Sequence, residues 1–262
     1  MRSEVLKPAE SAPTVVNVLI PRSLKTEYAV QPLGVDVPRP RFSWVAEAPG
    51  YGATQAAYQV LVASAPELLT PERADVWDSG KVESARTFGI SYDGPAAART
   101  RYHWTVRLWS TDDQGEWAEP SWFETGLLDE GFGGAAWIGG VTDSAPLLRR
   151  AFIVDGTVRR ARLYASGLGY ADLRLNGQAV SDAVLDPGFT SYDHTVLYVT
   201  HDVTDLLRAG DNAVGAELGR GFFGLTSVNV WRWHDTPWTA DPRLIARLVI
   251  EYDDGRVDEV VT

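Results

Sequence analysis

The sequence predicts an all-β protein made of two consecutive sandwiches, a fibronectin type III or immunoglobulin-like β-sandwich followed by a jelly-roll β-sandwich. Three observations predict it. Short runs alternate apolar and polar residues at period two, as strands with one buried face do. Gly, Asn and Asp gather between those runs, above all at Asn176-Gly177, the dipeptide best suited to two successive positive φ angles. The chain has 262 residues, 45% hydrophobic and 23% charged, which is a globular balance and a length for two domains.

Residues 1–22 are rich in Pro, Ser and Ala without a period and read as a flexible leader. The first sandwich is expected over 23–127. Phe42-Ser43-Trp44-Val45 opens it, and the run from Ala57 to Ala63 puts Tyr58, Val60 and Val62 on one face. Val76-Trp77-Asp78-Ser79-Gly80 closes on a turn. The clearest strand is Tyr102 to Trp109, with Tyr102, Trp104, Val106 and Leu108 on one side and His103, Thr105 and Arg107 on the other. Asp112-Asp113-Gln114-Gly115 supplies turn chemistry, and Trp122-Phe123-Glu124-Thr125 a last strand. About seven short strands in roughly a hundred residues suit a sandwich of this kind. With no cysteine pair to bridge the sheets, the fibronectin-like version is preferred.

A glycine-rich connector is expected over 128–145, anchored at Trp137-Ile138, and the second sandwich over 146–262. Arg160 to Tyr164 alternates, and Asp172-Leu173-Arg174-Leu175 runs into the Asn176-Gly177 hairpin turn. Val196-Leu197-Tyr198-Val199 reads as a strand. Asp202 to Leu207 reads as one helical turn capped by Asp202 or Thr204. Ala213 to Leu218 follows a Gly210-Asp211-Asn212 turn. Finally Leu244, Ala246, Leu248, Ile250 and Tyr252 share a face before Asp253-Asp254-Gly255 turns the chain into Val257–Val261. An ending on the returning strand of a hairpin predicts a truncated polypeptide, because an unpaired edge invites aggregation.

Composition excludes several function classes. There are no cysteines, which removes disulfides, thiolate metal sites and cysteine nucleophiles and favours a reducing compartment. A formal charge of −11 and a pI near 4.8 argue against nucleic acid as a partner, since phosphate contacts need clustered Lys and Arg. The N-terminal stretch lacks the apolar core of a secretory signal, no run is long enough to span a membrane, and no amphipathic helix suggests a membrane surface. A cytoplasmic location is the expectation.

Signals of chemistry are few. Gly219-Arg220-Gly221-Phe222-Phe223-Gly224 fits G-x-G-x-x-G, but the residues after it are strand- or loop-like, and phosphate binding needs a helix there. His103, His194, His201 and His234 show no paired metal spacing, and His194 beside Asp193 reads as an exposed loop pair. Glycoside hydrolysis needs two carboxylates ~5–10 Å apart across a cleft. The acids here are scattered over turns, so no catalytic residue is assigned. Asp253, Asp254 and Asp258 lack the ligand order of a calcium loop. No metal site and no cofactor is expected. One segment stands out: Phe222-Phe223, Trp231-Arg232-Trp233-His234 and Trp238 crowd five aromatics among polar residues in poorly periodic sequence. Such a loop suits either packing and interface or a sugar site. The candidate carbohydrate-binding residues are Asp193, Asn229, Trp231, Trp233 and Trp238.

Several ordered blocks carry a resemblance. Leu24-Lys25-Thr26-Glu27-Tyr28, Pro32-Leu33-Gly34-Val35-Asp36, Pro38-Arg39-Pro40-Arg41-Phe42-Ser43-Trp44 and Trp77-Asp78-Ser79-Gly80 belong to the first half. Ala136-Trp137-Ile138-Gly139, Leu173-Arg174-Leu175-Asn176-Gly177 and Leu185-Asp186-Pro187-Gly188-Phe189-Thr190 belong to the second. From about Leu24 onward the chain resembles the N-terminal part of bacterial α-L-rhamnosidases of glycoside hydrolase family 78. The resemblance implies a fibronectin type III-like domain and then the family's N-terminal β-sandwich, of galactose-binding-like form. It also implies a parent enzyme that hydrolyses terminal α-L-rhamnosides by inversion, using two glutamates on a downstream (α/α)6 barrel. That barrel would be this segment's partner and rhamnose-containing glycosides the parent's substrates. The acid motif of the form R-D-E-R is missing, so neither glutamate transfers and the segment alone is expected to be inactive. Some relatives carry a rhamnose-binding module that uses calcium. Where such relatives read Trp-Thr-Asp-Tyr, this chain has Phe189-Thr190-Ser191-Tyr192, which does not support calcium here. The alternative from a different class is a stand-alone rhamnose- or carbohydrate-binding module. An adhesion protein is disfavoured by the single fibronectin-like copy and the missing secretion signal.

Overall fold

A computed structural model of the chain describes residues 18–48, 52–111, 114–140 and 145–262. Positions 1–17 of the leader, Asp112-Asp113 of the turn and 141–144 of the connector lie outside the described residues. Among those described there are strands and single 3-10 turns but no α-helix. The chain divides into two units, Met1–Thr125 and Gly126–Thr262.

The first unit holds β1 (Ile20–Thr26), β2 (Arg41–Glu47), β3 (Ala57–Ala63), β4 (Trp77–Asp78), β5 (Val82–Glu83), β6 (Ile90–Ser91), β7 (Arg101–Trp109) and β8 (Ser121–Glu124). One sheet runs β1-β2-β6. The other runs β4-β3-β7-β8 with β5 also on β3, and all the named pairs are antiparallel. Both sheets feed one core. The alternation in β7 delivers Tyr102, Trp104, Val106 and Leu108 to it, where Phe42 from β2 stacks on Trp104 at 4.3 Å. The Tyr102 hydroxyl accepts the Ala97 amide at 2.9 Å, five residues upstream, which is the tyrosine corner of immunoglobulin-type sandwiches. β1 starts inside the stretch read as leader and carries Pro21. It lies at a sheet edge, where a missing backbone donor is tolerated.

The second unit holds β9 (Ile138–Gly139), β10 (Leu147–Val154), β11 (Val158–Leu168), β12 (Tyr170–Leu175), β13 (Gln178–Ala179), β14 (Val199–Asp202), β15 (Gly210–Gly219), β16 (Arg243–Tyr252) and β17 (Val257–Val261). Its sheets run β10-β15-β12-β13 and β14-β11-β16-β17, with β9 sharing the β16 edge with β17. Leu163, Leu173, Leu218 and the predicted face Leu244, Ala246, Leu248, Ile250 and Tyr252 fill the space between them. Asn176 at φ 54° and Gly177 at φ 85° make the predicted turn, and Leu175 pairs with Gln178 across it.

Two predicted elements need correction. The strand read at Val196 to Val199 begins only at Val199 and runs on to Asp202. Upstream of it, the Leu197 carbonyl accepts the Ser166 hydroxyl at 2.6 Å, and the Tyr198 hydroxyl accepts the Leu127 amide at 2.8 Å. Tertiary partners replace a ladder there. The helical turn is a 3-10 turn, Thr204–Leu206, whose N-cap position is Val203. Asp202 still accepts the Thr204 amide at 3.1 Å, one position early. Just before the connector Leu127 packs on Tyr164 and Val249, while within it Trp137 and Ile138 remain 37% and 36% exposed and Ile138 pairs with Leu244 in the β9 ladder.

Candidate functional site

The aromatic segment after β15 folds as the loop from 220 to 242. Gly221 at φ 52° lets the chain turn against Tyr170, where any side chain would come within 3 Å of the ring. The Gly224 amide returns to the Arg220 carbonyl at 2.8 Å, closing a turn with no helix behind it. The G-x-G-x-x-G spacing therefore aims no helix N-terminus at anything.

Of the five predicted residues, the structure gathers two. Trp233 packs between Phe189 and Phe222, each 5.0 Å away by ring centre. Trp238 lies 6.2 Å from Tyr192, which also touches Phe189 and Phe223. Burial pushes the Tyr192 phenol above its ordinary pKa. The Trp238 indole N–H and His234 Nδ1 are enclosed here without a protein partner. The other three stand apart from that cluster. Trp231 projects into solvent, 79% exposed. Asn229 is engaged in its own loop: its Oδ1 accepts the Trp231 amide at 3.1 Å and the Trp233 amide at 3.4 Å, while Nδ2 donates to Ser227. Asp193 accepts the Ser191 hydroxyl at 3.0 Å beside an exposed His194. Arg232 donates to Asp235 and lowers that carboxyl's pKa, so the polar residues of the loop serve the loop.

A second concavity went unseen in the sequence. The segment 180–186 arcs over β12, pinned at one end by the Val180 amide to Leu173 O at 3.1 Å and at the other by the Ala171 amide to Asp186 O at 3.0 Å. Beneath it lies a cleft of about 630 Å³ whose lining includes Tyr170, Asp172, Asp186, His201 and Glu217. Asp172 and Glu217 face each other directly across the β12–β15 pair. Like charges so placed repel, and Asp172 is compensated by Arg174 at 2.9 Å. His201, on β14, is 7% exposed, and its Nε2 stands 4.0 Å from Asp186 Oδ2. Burial pushes this imidazole below its ordinary pKa, with the Asp186 carboxylate pulling the other way.

The cleft does bring carboxylates together, where the sequence reading left them scattered. Asp172 and Glu217 are nonetheless exposed, and one of them is ion-paired. A general acid for glycoside cleavage needs an apolar setting that holds its proton near neutral pH. Among the described residues no group of three or more His, Asp or Glu side chains converges to hold a metal ion.

The class of molecule is thus a tandem pair of β-sandwiches, and comparison with known proteins supplies the family. Residues 21–129 match the Rha78A-like N-terminal immunoglobulin domain, and residues 156–262 match the alpha-L-rhamnosidase N-terminal domain. An α-L-rhamnosidase of Streptomyces avermitilis is 46% identical in an alignment covering 92% of this chain and 40% of the relative. One of Formosa agariphila is 35% identical over 87% of this chain and 27% of its own. The solved α-L-rhamnosidase from Dictyoglumus thermophilum superposes with a TM-score of 0.84 at 34% identity, over 95% of this chain and 29% of that one. The chain belongs to the α-L-rhamnosidases of glycoside hydrolase family 78, as an N-terminal portion. It spans only about a quarter to two fifths of the length of these relatives.

Proposed function

We propose that this chain is the non-catalytic front of an enzyme that removes terminal α-L-rhamnose from glycosides by inversion, and that its two sandwiches support a catalytic domain further along the polypeptide. One observation carries the reading: proteins named α-L-rhamnosidase match nearly all of this chain but less than half of themselves. Inversion needs a protonated acid and a base ~6.5–9.5 Å apart around a water. The facing acids on β12 and β15 are exposed, and Asp172 is ion-paired with Arg174, so they do not form a dry cleft. The 262 residues are expected to leave an aryl α-L-rhamnoside intact, while a longer polypeptide containing them releases the phenol. Turnover by the isolated segment, surviving purification to a single species, would overturn the reading.

A stand-alone carbohydrate-binding role is the second reading. The observation favouring it is the cluster of Phe189, Phe222, Trp233 and Trp238, whose faces suit the C–H surface of a sugar. L-rhamnose binding abolished by Trp233→Ala, in a segment found free in the cell, would favour this role.

A further inference from the structure

We propose that the free edge of β10 and the apolar slot beside it receive a further strand of the same polypeptide, supplied within a few residues after Thr262. The inference rests on the reading above, in which the protein continues past that residue. β10 is eight residues long and its ladder with β15 runs without a bulge, yet on its other side it pairs with no described strand. The Leu218 amide donates to the Pro146 carbonyl at 3.0 Å, which sets the phase of that ladder. Hydrogen-bonded and non-bonded positions alternate in an antiparallel pair. The amides and carbonyls of Leu147, Arg149, Ala151 and Ile153 therefore face away from β15. Leu147 and Ile153 are 77% and 69% exposed, and the strand carries neither Lys nor Pro to discourage a partner.

Beside that edge the two sheets are parted by a slot of about 280 Å³. Its walls are Leu148, Leu173 and Val214 from one sheet and Leu163, Leu248 and Val260 from the other. An apolar cavity of ~150 Å³ already stays dry, and an unfilled one forfeits contacts for every side chain around it. Filling this one calls for aliphatic groups held at its rim, and alternate residues of a strand on β10 would supply them. Continuity of the chain selects the occupant. The Arg150 guanidinium donates to the Val261 carbonyl across the mouth of the slot, so the end of β17 lies within one side chain of β10. Packed sheets stand ~10 Å apart, a gap that about three extended residues cross. The relatives match this chain over less than half of their own length, which leaves ample sequence for a strand. Tethered so closely, that strand acts at an effective concentration of millimolar order, which a second copy of the chain does not match.

The test is amide hydrogen exchange, compared between the 262-residue chain and a polypeptide extended past it with the protein's own sequence. Exchange at Leu147, Arg149, Ala151 and Ile153 should slow tenfold or more in the longer protein, whatever its concentration. Ala151→Pro deletes an amide that β15 does not use, and edge strands tolerate proline there. It should leave the melting temperature of the shorter chain nearly unchanged, lower that of the longer protein by several degrees, and return the other three amides to fast exchange. Equal exchange in the two proteins overturns the proposal. So does protection that fades on dilution, the mark of a second copy, and so does a proline that harms the longer protein no more than the shorter one. The exchange comparison involves no substitution, so it decides the matter even where the proline variant fails to fold. Turnover of a rhamnoside by the longer protein is scored separately. Activity without protection sinks the added strand alone, and protection without activity sinks only the rhamnosidase reading.

Discussion

Trp104 is fully buried in the core of the first sandwich and stacked on Phe42, whose ring in turn neighbours Tyr92 and Phe123. Truncating a large buried aromatic removes its transfer free energy and leaves a cavity that close-packed neighbours fill poorly. Trp104→Ala should destabilise the first unit by about 3–5 kcal/mol, read as a fall in the urea midpoint followed by near-ultraviolet dichroism, which reports aromatic packing. This residue was legible because strand alternation places it on the same face as Val106 and Leu108. His201 was not. Nothing local in Val199-Thr200-His201-Asp202 announces that this residue is buried opposite Leu163 and lines a cleft with the 180–186 segment. Likewise the pairing of Asp172 with Glu217 depends on a register between strands forty-odd residues apart, which a periodic pattern does not encode.

At the scale of elements, turn chemistry carried much of the reading. The hairpin between β12 and β13 needs positive φ at both central residues, and open space surrounds the place where a Gly177 side chain would stand. Gly177→Ala therefore meets strain and no clash, and should cost about 1 kcal/mol or slightly more. The check is chemical denaturation, with unchanged dichroism of the folded protein. Reading failed where side chains outbid the ladder, as at Leu197 and Tyr198, whose partners Ser166, Leu127 and Phe132 lie far away in sequence. The aromatic loop shows the same limit. Its crowding of rings was visible, but that Trp233 packs inward while Trp231 faces water follows from Asn229 fixing the backbone between them.

For the whole molecule, acid should be destabilising in two stages. His103 and His201 both have pKa values lowered by burial, so below about 6.5 the unfolded chain takes up protons that the folded one refuses. Their contribution is complete above that pH and declines beneath it. Glu27, Asp75, Asp235 and Asp254 are lowered instead by hydrogen bonds from Arg41, Ser64, Arg232 and Arg256. Their contribution is present above the ordinary carboxylate range and is lost as pH falls from about 5 toward 3. Melting temperature measured from pH 8 to pH 3 should show a first decline near pH 6 and a steeper one below pH 5. Added salt should shrink the second decline more, because Glu27, Asp235 and Asp254 are paired with arginines that are open to solvent, and such pairs are screened. A profile flat from pH 7 to pH 5 would count against the buried-imidazole assignment.

Thr262 ties two distant stretches of the second unit together. The Ala136 amide donates to the Thr262 carbonyl at 3.0 Å, the Thr262 hydroxyl donates back to the Ala136 carbonyl at 2.8 Å, and the Thr262 amide reaches Ala246 at 3.1 Å. Two stretches more than a hundred residues apart are thereby laced to a common rail, β16. Tension applied at residue 262 would reach the 136–139 stretch before it loaded the interior of the sandwich. Under such a pull the two stretches should come away from the rail together, in a single mechanical event, rather than one after the other.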